Sequence, residues 1–539
     1  MIMILEFCGR IAAHRLRLEN RSCRPASERA ALLLMMSLVA WNPIACGPAV
    51  DSSEGEGFGR CDELRLDVEA VPPHASFVLI VNDTMRRDRI GVYGGTAHTS
   101  SFDSFARANL LFKRAVSESD WTRPAIATLF TSLYPSQHGV MDDPSFHSSK
   151  NTAILSVDVL GADFLTLAEA LRRAGFRTAA FVSNPWMETA FGFGQGFEIY
   201  DDSFASWDSS GGEKISRAGL DFLDGLDPDE PFFLYLHYIN SHLPYGTLER
   251  EQVLAAKEQI ESDPRELPNP DKLALSKIEL KDGTRILETG VKAKPALFGL
   301  LYDRGLEEFD QLLGLFLDGL RERPSWNRTG IIVTSDHGEA LYERGYGNHG
   351  RALFQEEVAI PMAARLPGVT SRDPEVACPV GLIDVMPTLC QYLDIECGSG
   401  LFGQSFIADA NAASQIPGTR YLLSEGVPRA PKHRAIQNQR YKLIFEPSGR
   451  LQPDMSRIKA SQPYSLYDLE EDPGEVRDLL TGWQSARFDG VLEVMIEALE
   501  SAIPETAPPK TEAVPIDPEL RERLRHLGYL ENEREEPSR

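Results

Sequence analysis

Phe77-Val78-Leu79-Ile80-Val81-Asn82-Asp83-Thr84 and Gly330-Ile331-Ile332-Val333-Thr334-Ser335-Asp336-His337 decide how this chain folds. Each begins with an unbroken apolar run and ends in polar, chemically able residues. An apolar run without alternation marks a strand covered on both faces, the situation inside a parallel sheet flanked by helices. Ala179-Ala180-Phe181-Val182 and Phe232-Phe233-Leu234-Tyr235-Leu236 are further runs of this type. Between them lie stretches with apolar residues at helical spacing, at 164–174, 215–226 and 302–320. Strands alternating with helices predict an α/β fold with a large, mostly parallel sheet. Ligands in such sheets bind beyond the carboxyl ends of the strands. Asp83, Asp336 and His337 all stand at that edge.

The chain has 539 residues, enough for one large domain and a smaller companion. Its formal net charge of −25 argues against a nucleic-acid partner, because an acidic surface repels phosphate backbones. A local cation can still make one pocket attractive to an anionic small molecule or glycan. None of the seven cysteines forms a CxxC pair, so zinc-ribbon and dithiol redox readings have no support. Cys390 and Cys397 are spaced for a short-loop disulfide in an oxidising compartment, or else are buried thiols.

The first residues read as an export leader. Arg24 and Arg29 precede an uncharged run, 30–41, too short to span a membrane. Asn42-Pro43-Ile44-Ala45-Cys46-Gly47 then resembles a lipoprotein cleavage box, with Pro43 where leucine is usual. Cys46 is the expected lipid anchor. A plain secretory signal or an unstructured leader are the alternatives. The expected outcome is an exported protein, periplasmic or attached to the outer membrane. The boundaries predicted are a leader at 1–45, a linker at 46–75, a catalytic domain at 76–397, a smaller subdomain at 398–505, and a linker with a terminal helix at 506–539. The subdomain reads as an antiparallel sheet with strands at 434–436, 441–445 and 465–469, followed by a helix at 488–502. The polar stretch 248–294 reads as a helical insertion or lid.

Two aspartates and a histidine suit a divalent cation such as zinc, manganese, magnesium or calcium. Thr122 adds a hydroxyl in Asp120-Trp121-Thr122-Arg123-Pro124-Ala125-Ile126. Proline favours a first helical turn, so Thr122 is expected at a helix N-terminus, where backbone N–H groups and the dipole stabilise an anion. Cation coordination there would lower the hydroxyl pKa and make it nucleophilic. Each feature alone has a plainer reading, since threonine near a helix start usually caps and aspartate after a strand usually forms a turn.

Taken in order along the chain, the segments resemble the sulfatase branch of the alkaline phosphatase superfamily over roughly 76–480. The matching residues run from Asp83 through Gly91-Val92-Tyr93-Gly94 and Phe102-Asp103-Ser104-Phe105 to the Thr122 segment. They continue through His237-Tyr238-Ile239-Asn240-Ser241-His242-Leu243-Pro244-Tyr245, Asp336-His337-Gly338-Glu339, His349-Gly350 and Asp384-Val385-Met386-Pro387-Thr388. The resemblance implies an alkaline-phosphatase-like fold and one divalent cation held by Asp83, Asp336, His337 and Thr122. It implies substrate contacts from His242 and from Arg351, which falls where many members place a lysine. His349 and His138 are expected as general acids for the leaving group. Arg123 and, more weakly, His237 are expected on the substrate side.

The chain departs from its relatives at the nucleophile. Sulfatases typically carry Cys-x-Pro-x-Arg, whose cysteine or serine is oxidised to formylglycine. Threonine cannot yield that aldehyde, because its Cβ also carries a methyl group. Ile126 replaces the motif's arginine, and Thr84 replaces a second aspartate. The reading that follows is a hydrolase of sulfate or phosphate/phosphonate esters with an unmodified Thr122 nucleophile. One rival is a transferase moving phosphoglycerol or phosphoethanolamine onto envelope glycans or lipids. Another is a non-catalytic binder of anionic glycans.

Overall fold

The computed structural model describes residues 66–522 except 69, 142–155, 205–210, 269–271, 273–274, 372–373, 408–418, 427–431, 452–456, 459–461, 482–484, 503–512, 517 and 521. The expected leader, Cys46, most of the first linker and nearly all of the terminal helix lie outside the described residues.

The large sheet contains β1 (Ser76–Asn82), β2 (Leu110–Val116), β3 (Arg177–Val182), β4 (Ile199–Asp201), β5 (Phe232–Tyr238), β6 (Thr329–Thr334), β7 (Ala359–Arg365), β8 (Glu375–Val376) and β9 (Val380–Gly381). Its order is β8-β2-β7-β6-β1-β5-β3-β4, with β9 also paired to β2. Only β7 runs against the rest. The alternation of strands and helices therefore gave the architecture correctly, and all four predicted strands are present.

β1 lies near the middle and every one of its residues is buried. Successive side chains point to opposite faces. Phe77, Leu79 and Val81 enter one core with helices α2 (Thr122–Thr131), α3 (Leu167–Arg173) and α6 (Val385–Leu393). Val78 and Ile80 enter the other with α1 (Ser100–Ala108), α4 (Gly211–Asp224) and α5 (Pro295–Arg321). Each fully buried side chain of this kind contributes about 1.5–3 kcal/mol of burial free energy. The strand that delivers Asp83 is thus among the best anchored in the molecule.

Two of the strands that the sequence did not announce show why. Lys113 and Arg114 interrupt the apolar run of β2, and both are only half-buried. β7 contains Pro361, and its pairing with β2 shifts register between Ile360 and Met362. The residue that cannot donate a ladder hydrogen bond sits at that irregularity.

Residues 248–294 are only partly helical, with short helices at Arg250–Ala255 and Lys257–Glu261. The segment is no free excursion, since Leu248, Val253, Ile260, Ile278 and Ile286 are buried in the second core. Cys390 and Cys397 form a disulfide that crosses the end of α6, with Cα atoms 6.0 Å apart. Among the described residues, no helix is long and apolar enough to cross a membrane.

The smaller sheet is antiparallel, in the order β10 (Leu422–Glu425), β11 (Arg434–Gln437), β12 (Tyr441–Phe445) and β13 (Tyr464–Asp468). One face, with Leu423, Ile436, Leu443 and Leu466, packs on Met495 and Leu499 of α7 (Asp489–Ala502). The other, with Leu422, Ala435, Ile444 and Tyr467, packs on Val116, Leu353 and Val358 of the large domain.

Candidate active site

β1 and β6 are parallel neighbours, so their ends arrive together and the residues after them meet. The chain turns sharply at Thr84, whose φ of 58° is rare for a β-branched residue. Neighbours hold that conformation from several sides. Its N–H donates to Asp336 Oδ1 at 3.1 Å, its hydroxyl lies 2.7 Å from the carbonyls of Asp83 and Ser241, and its carbonyl accepts from Tyr302 at 2.6 Å. The turn locks Asp83 against Asp336.

Asp83, Asp336 and His337 are fully buried, and one ligand atom from each lies within 4.8 Å of the others. His337 Nε2 is 3.5 Å from Asp336 Oδ2 and 3.8 Å from Asp83 Oδ1. Its Nδ1 meets the Gly338 carbonyl at 2.8 Å, which makes Nδ1 the donor and turns the Nε2 lone pair toward the carboxylates. Neither Asp83 Oδ1 nor Asp336 Oδ2 accepts a hydrogen bond. Buried carboxylate oxygens are normally satisfied, so these two suit a positive ligand.

The electrostatics agree. Burial opposes ionisation of Asp83, but the hydrogen bond from His237 and the fields of His242 and His337 bring its pKa below the usual range. Asp336 is pushed the other way, by burial and by the Asp83 charge. Burial works against protonation of His337, yet Asp336 and Asp83 raise it. Two carboxylates this close oppose each other's ionisation, and a cation would relieve that repulsion. The field that favours a proton on His337 would equally favour a divalent ion, and two carboxylates with one imidazole are a fitting donor set.

Thr122 is the first residue of α2, after Trp121 in extended conformation. Its hydroxyl is not used as a cap. Oγ1 lies 3.2 Å from His337 Nε2 and 3.4 Å from Asp83 Oδ2. The four residues singled out in the sequence thus converge. His349 joins them, its ring centroid 4.5 Å from that of His337, 5.1 Å from His242 and 5.1 Å from Trp121. His242 is buried, with Nδ1 at 2.7 Å from the Leu243 carbonyl, and burial lowers its pKa. Arg351 lies two residues beyond His349, half-buried, with its backbone N–H on Glu357 Oε2 at 3.2 Å.

Three expectations need correction. His138 does not join the Asp/His cluster. Its Nε2 lies 3.1 Å from Thr128 Oγ1, and Nδ1 accepts from Val140 N–H at 3.1 Å, so it braces α2 from behind. Burial drives its pKa down to about 3, which removes it as an acid near neutrality. Arg123 turns away as well. Its guanidinium lies over Phe191 at 4.7 Å and Trp186 at 5.5 Å and donates to the Asp158 carbonyl. His237 is fully buried behind Asp83, with Nε2 3.5 Å from Oδ2 and Nδ1 2.7 Å from the Tyr235 hydroxyl. It orients a carboxylate rather than touching substrate.

Two residues escaped the sequence reading. Asn184, just after β3, donates from Nδ2 to Asp83 Oδ2. A single asparagine after a strand carries no signal of this role. Glu339 bridges His349 Nδ1 and the Tyr245 hydroxyl, each at 2.6 Å, and burial raises its pKa to about 8. It stands in the Asp336-His337-Gly338-Glu339 segment, so proximity in sequence was an available clue.

A buried Asp/Asp/His cluster at the carboxyl edge of a large, mostly parallel sheet, with a hydroxyl at a helix N-terminus, defines an alkaline-phosphatase-like ester hydrolase. Comparison with known proteins agrees. The family model described as Sulfatase matches residues 75–395, more than half of the chain, and the protein belongs to the sulfatase family. The chain is 23% identical over 475 residues to the uncharacterized sulfatase YidJ of Escherichia coli, covering 79% of this chain and 86% of that protein. It is 25% identical over 469 residues to human N-sulphoglucosamine sulphohydrolase, covering 76% and 86%. Among solved structures, a protein in complex with its substrate D-glucosamine-2-N,6-O-disulfate superposes with a TM-score of 0.59 at 16% identity, covering 79% of this chain and 97% of that one. The phosphonate monoester hydrolase of Agrobacterium radiobacter gives 0.56 at 20% identity, covering 82% and 100%. At these identities, the structures speak for the fold.

Proposed function

We propose that this protein is an exported, metal-dependent hydrolase of sulfate or phosphate/phosphonate esters in which unmodified Thr122 is the nucleophile. The observation that carries the reading is the position of Thr122 Oγ1, 3.2 Å from His337 Nε2 and 3.4 Å from Asp83 Oδ2, at the start of α2. Asp83, Asp336 and His337 would hold one divalent cation, whose role is to neutralise charge and acidify the hydroxyl. Thr122 Oγ attacks sulfur or phosphorus, and Asp83 Oδ2 is within reach of the departing hydroxyl proton. The bond to the leaving oxygen breaks on the opposite side. His349 and His242 face that space, and His349 gives the leaving oxygen its proton, held in orientation by Glu339. The α2 N-terminus and Arg351 stabilise charge on the remaining oxygens. Water then attacks the covalent Thr122 ester and frees the hydroxyl.

The named relatives support the substrate class. Sulfated sugars and phosphonate monoesters are both small anionic esters, which this site's chemistry suits. The Cys390–Cys397 disulfide supports an extracytoplasmic location, because such crosslinks persist in oxidising compartments. Lipidation of Cys46 would then attach the enzyme to a membrane.

The test is a rapid quench during turnover of p-nitrophenyl sulfate, bis(p-nitrophenyl) phosphate and p-nitrophenyl phenylphosphonate, with several divalent cations. Peptide mapping should find the sulfuryl or phosphoryl adduct on Thr122. Turnover with no dependence on Thr122 would remove it from the mechanism. Product transfer to an added alcohol in preference to water would make the enzyme a transferase instead.

A further inference from the structure

The segment that carries His349 is tied at both ends to one residue from the C-terminal part of the chain, through its carboxylate at one end and mainly its backbone at the other. Glu475 lies in the stretch after β13, in a left-handed backbone conformation with φ of 51°. Its Oε2 accepts the backbone N–H of Gln355 at 2.6 Å. Arg344 donates to the carbonyls of Glu475 and Gly474 at 3.1 and 3.0 Å, and its Nη2 lies 3.7 Å from Glu475 Oε2. Arg344 also pairs with Glu356 at 2.6 Å. Glu475 Oε1 is balanced by Lys442 of β12, whose Nζ is 2.9 Å away, and both residues are buried. Leu353 is pressed onto the same face of the small sheet.

We infer that Glu475, paired with Lys442, is a positioning residue that holds the 344–355 segment so that His349 stays packed against His337 and Trp121 at the candidate site. The inference rests on the proposed function only in taking His349 as the group facing the reacting ester. The physical reason is leverage. The segment contains three positive-φ residues, Gly345, Asn348 and Gly350. Tyr346, Ala352 and Leu353 of the segment are buried, but non-directional apolar contacts alone do not fix a histidine within the tolerance that proton transfer needs. An ion pair removed from water is an expensive anchor, but a directional one. It makes the small sheet part of the catalytic apparatus.

The test uses the full chain and the variant Lys442→Met/Glu475→Ala. It removes both charges together and so avoids the folding failure that a lone buried charge would risk. Hydrogen exchange of amides 345–355 should accelerate, while that of β1 stays unchanged. On the aryl ester that wild type turns over best, kcat should fall by about 10-fold or more, the scale of a slight misplacement of a catalytic group. In a His349→Ala background, the same double change should cost almost nothing further, because the group it positions is gone. Unchanged exchange at 345–355 overturns the inference, as does a kcat loss that multiplies in full with that of His349→Ala. Failure of the proposed function looks different, since it appears as full activity in Thr122→Ala with the exchange result unaffected.

Discussion

Two of the buried charge clusters among the described residues are built in opposite ways. Beneath the small sheet, Lys442 and Arg344 meet Glu475 and Glu356, two cations against two anions. At the carboxyl edge of the large sheet, Asp83 and Asp336 meet the imidazoles of His337 and His237 but no lysine or arginine among the described residues pairs with them, and an oxygen of each accepts no hydrogen bond. The first cluster is electrically complete. The second is short of positive charge, and the Thr122 hydroxyl lies 3.2 Å from His337 Nε2 and 3.4 Å from Asp83 Oδ2 beside it. Balanced burial fixes position, whereas unbalanced burial marks the place where a ligand completes the structure.

That contrast can be broken by substitution. The largest effect expected is on Thr122. Thr122→Ala should lower kcat/KM for the best aryl ester by about 10⁴-fold or more, the scale seen when a covalent nucleophile is lost. Circular dichroism and cation binding should remain intact. Next comes the balanced cluster. Lys442→Met leaves a buried carboxylate with only the more distant Arg344, and should destabilise the protein by about 3–5 kcal/mol in denaturant titrations. The unbalanced cluster should respond with the reverse sign. Asp336→Asn removes like-charge repulsion, so the cation-free variant should be at least as stable as cation-free wild type. Its loss appears only on adding cation. Wild type should gain about 2.7 kcal/mol at 100 times the dissociation constant, and the variant should gain almost none, as read by thermal melting with and without chelator.

The smallest effect sharpens the contrast with a buried group that belongs to neither cluster. Burial lowers the pKa of His138 to about 3. The unfolded chain takes up a proton near the ordinary value of 6.5, and the folded protein refuses it until about 3. Stability from this residue is therefore fully present above pH 6.5 and is lost as pH falls toward 3. His138→Gln should flatten that part of the stability profile while leaving kcat unchanged. A large kcat loss with an unaltered profile would restore His138 to the site.

How much of this was readable beforehand depends on where each residue gets its environment. Asp83, Asp336 and His337 were legible because each closes an apolar run, and a strand end is a local property. Thr122 was legible through Pro124 and the helix that follows. The misplaced residues fail for a shared reason. Arg123 is adjacent to the nucleophile in sequence, but successive residues of a helix turn by about 100°, and its side chain is taken by Trp186 and Phe191. His138 and His237 are the right residue type on the right elements, yet one faces the back of α2 and the other the back of Asp83. Lys113 and Pro361 hid two strands whose neighbours, not their own composition, make them strands.

The order of elements, the sheet class and the chemical types at the strand ends were settled by local composition, since apolar runs and helix punctuation act over a few residues. Orientation, partnership and charge balance were settled by packing. The side of an element that meets a neighbour decides whether a histidine joins the Asp/His cluster or props up a carboxylate from behind. Whether a buried acid finds a lysine or a second acid depends on segments hundreds of residues away, because Coulomb interactions in a dry interior follow distance in space and not along the chain.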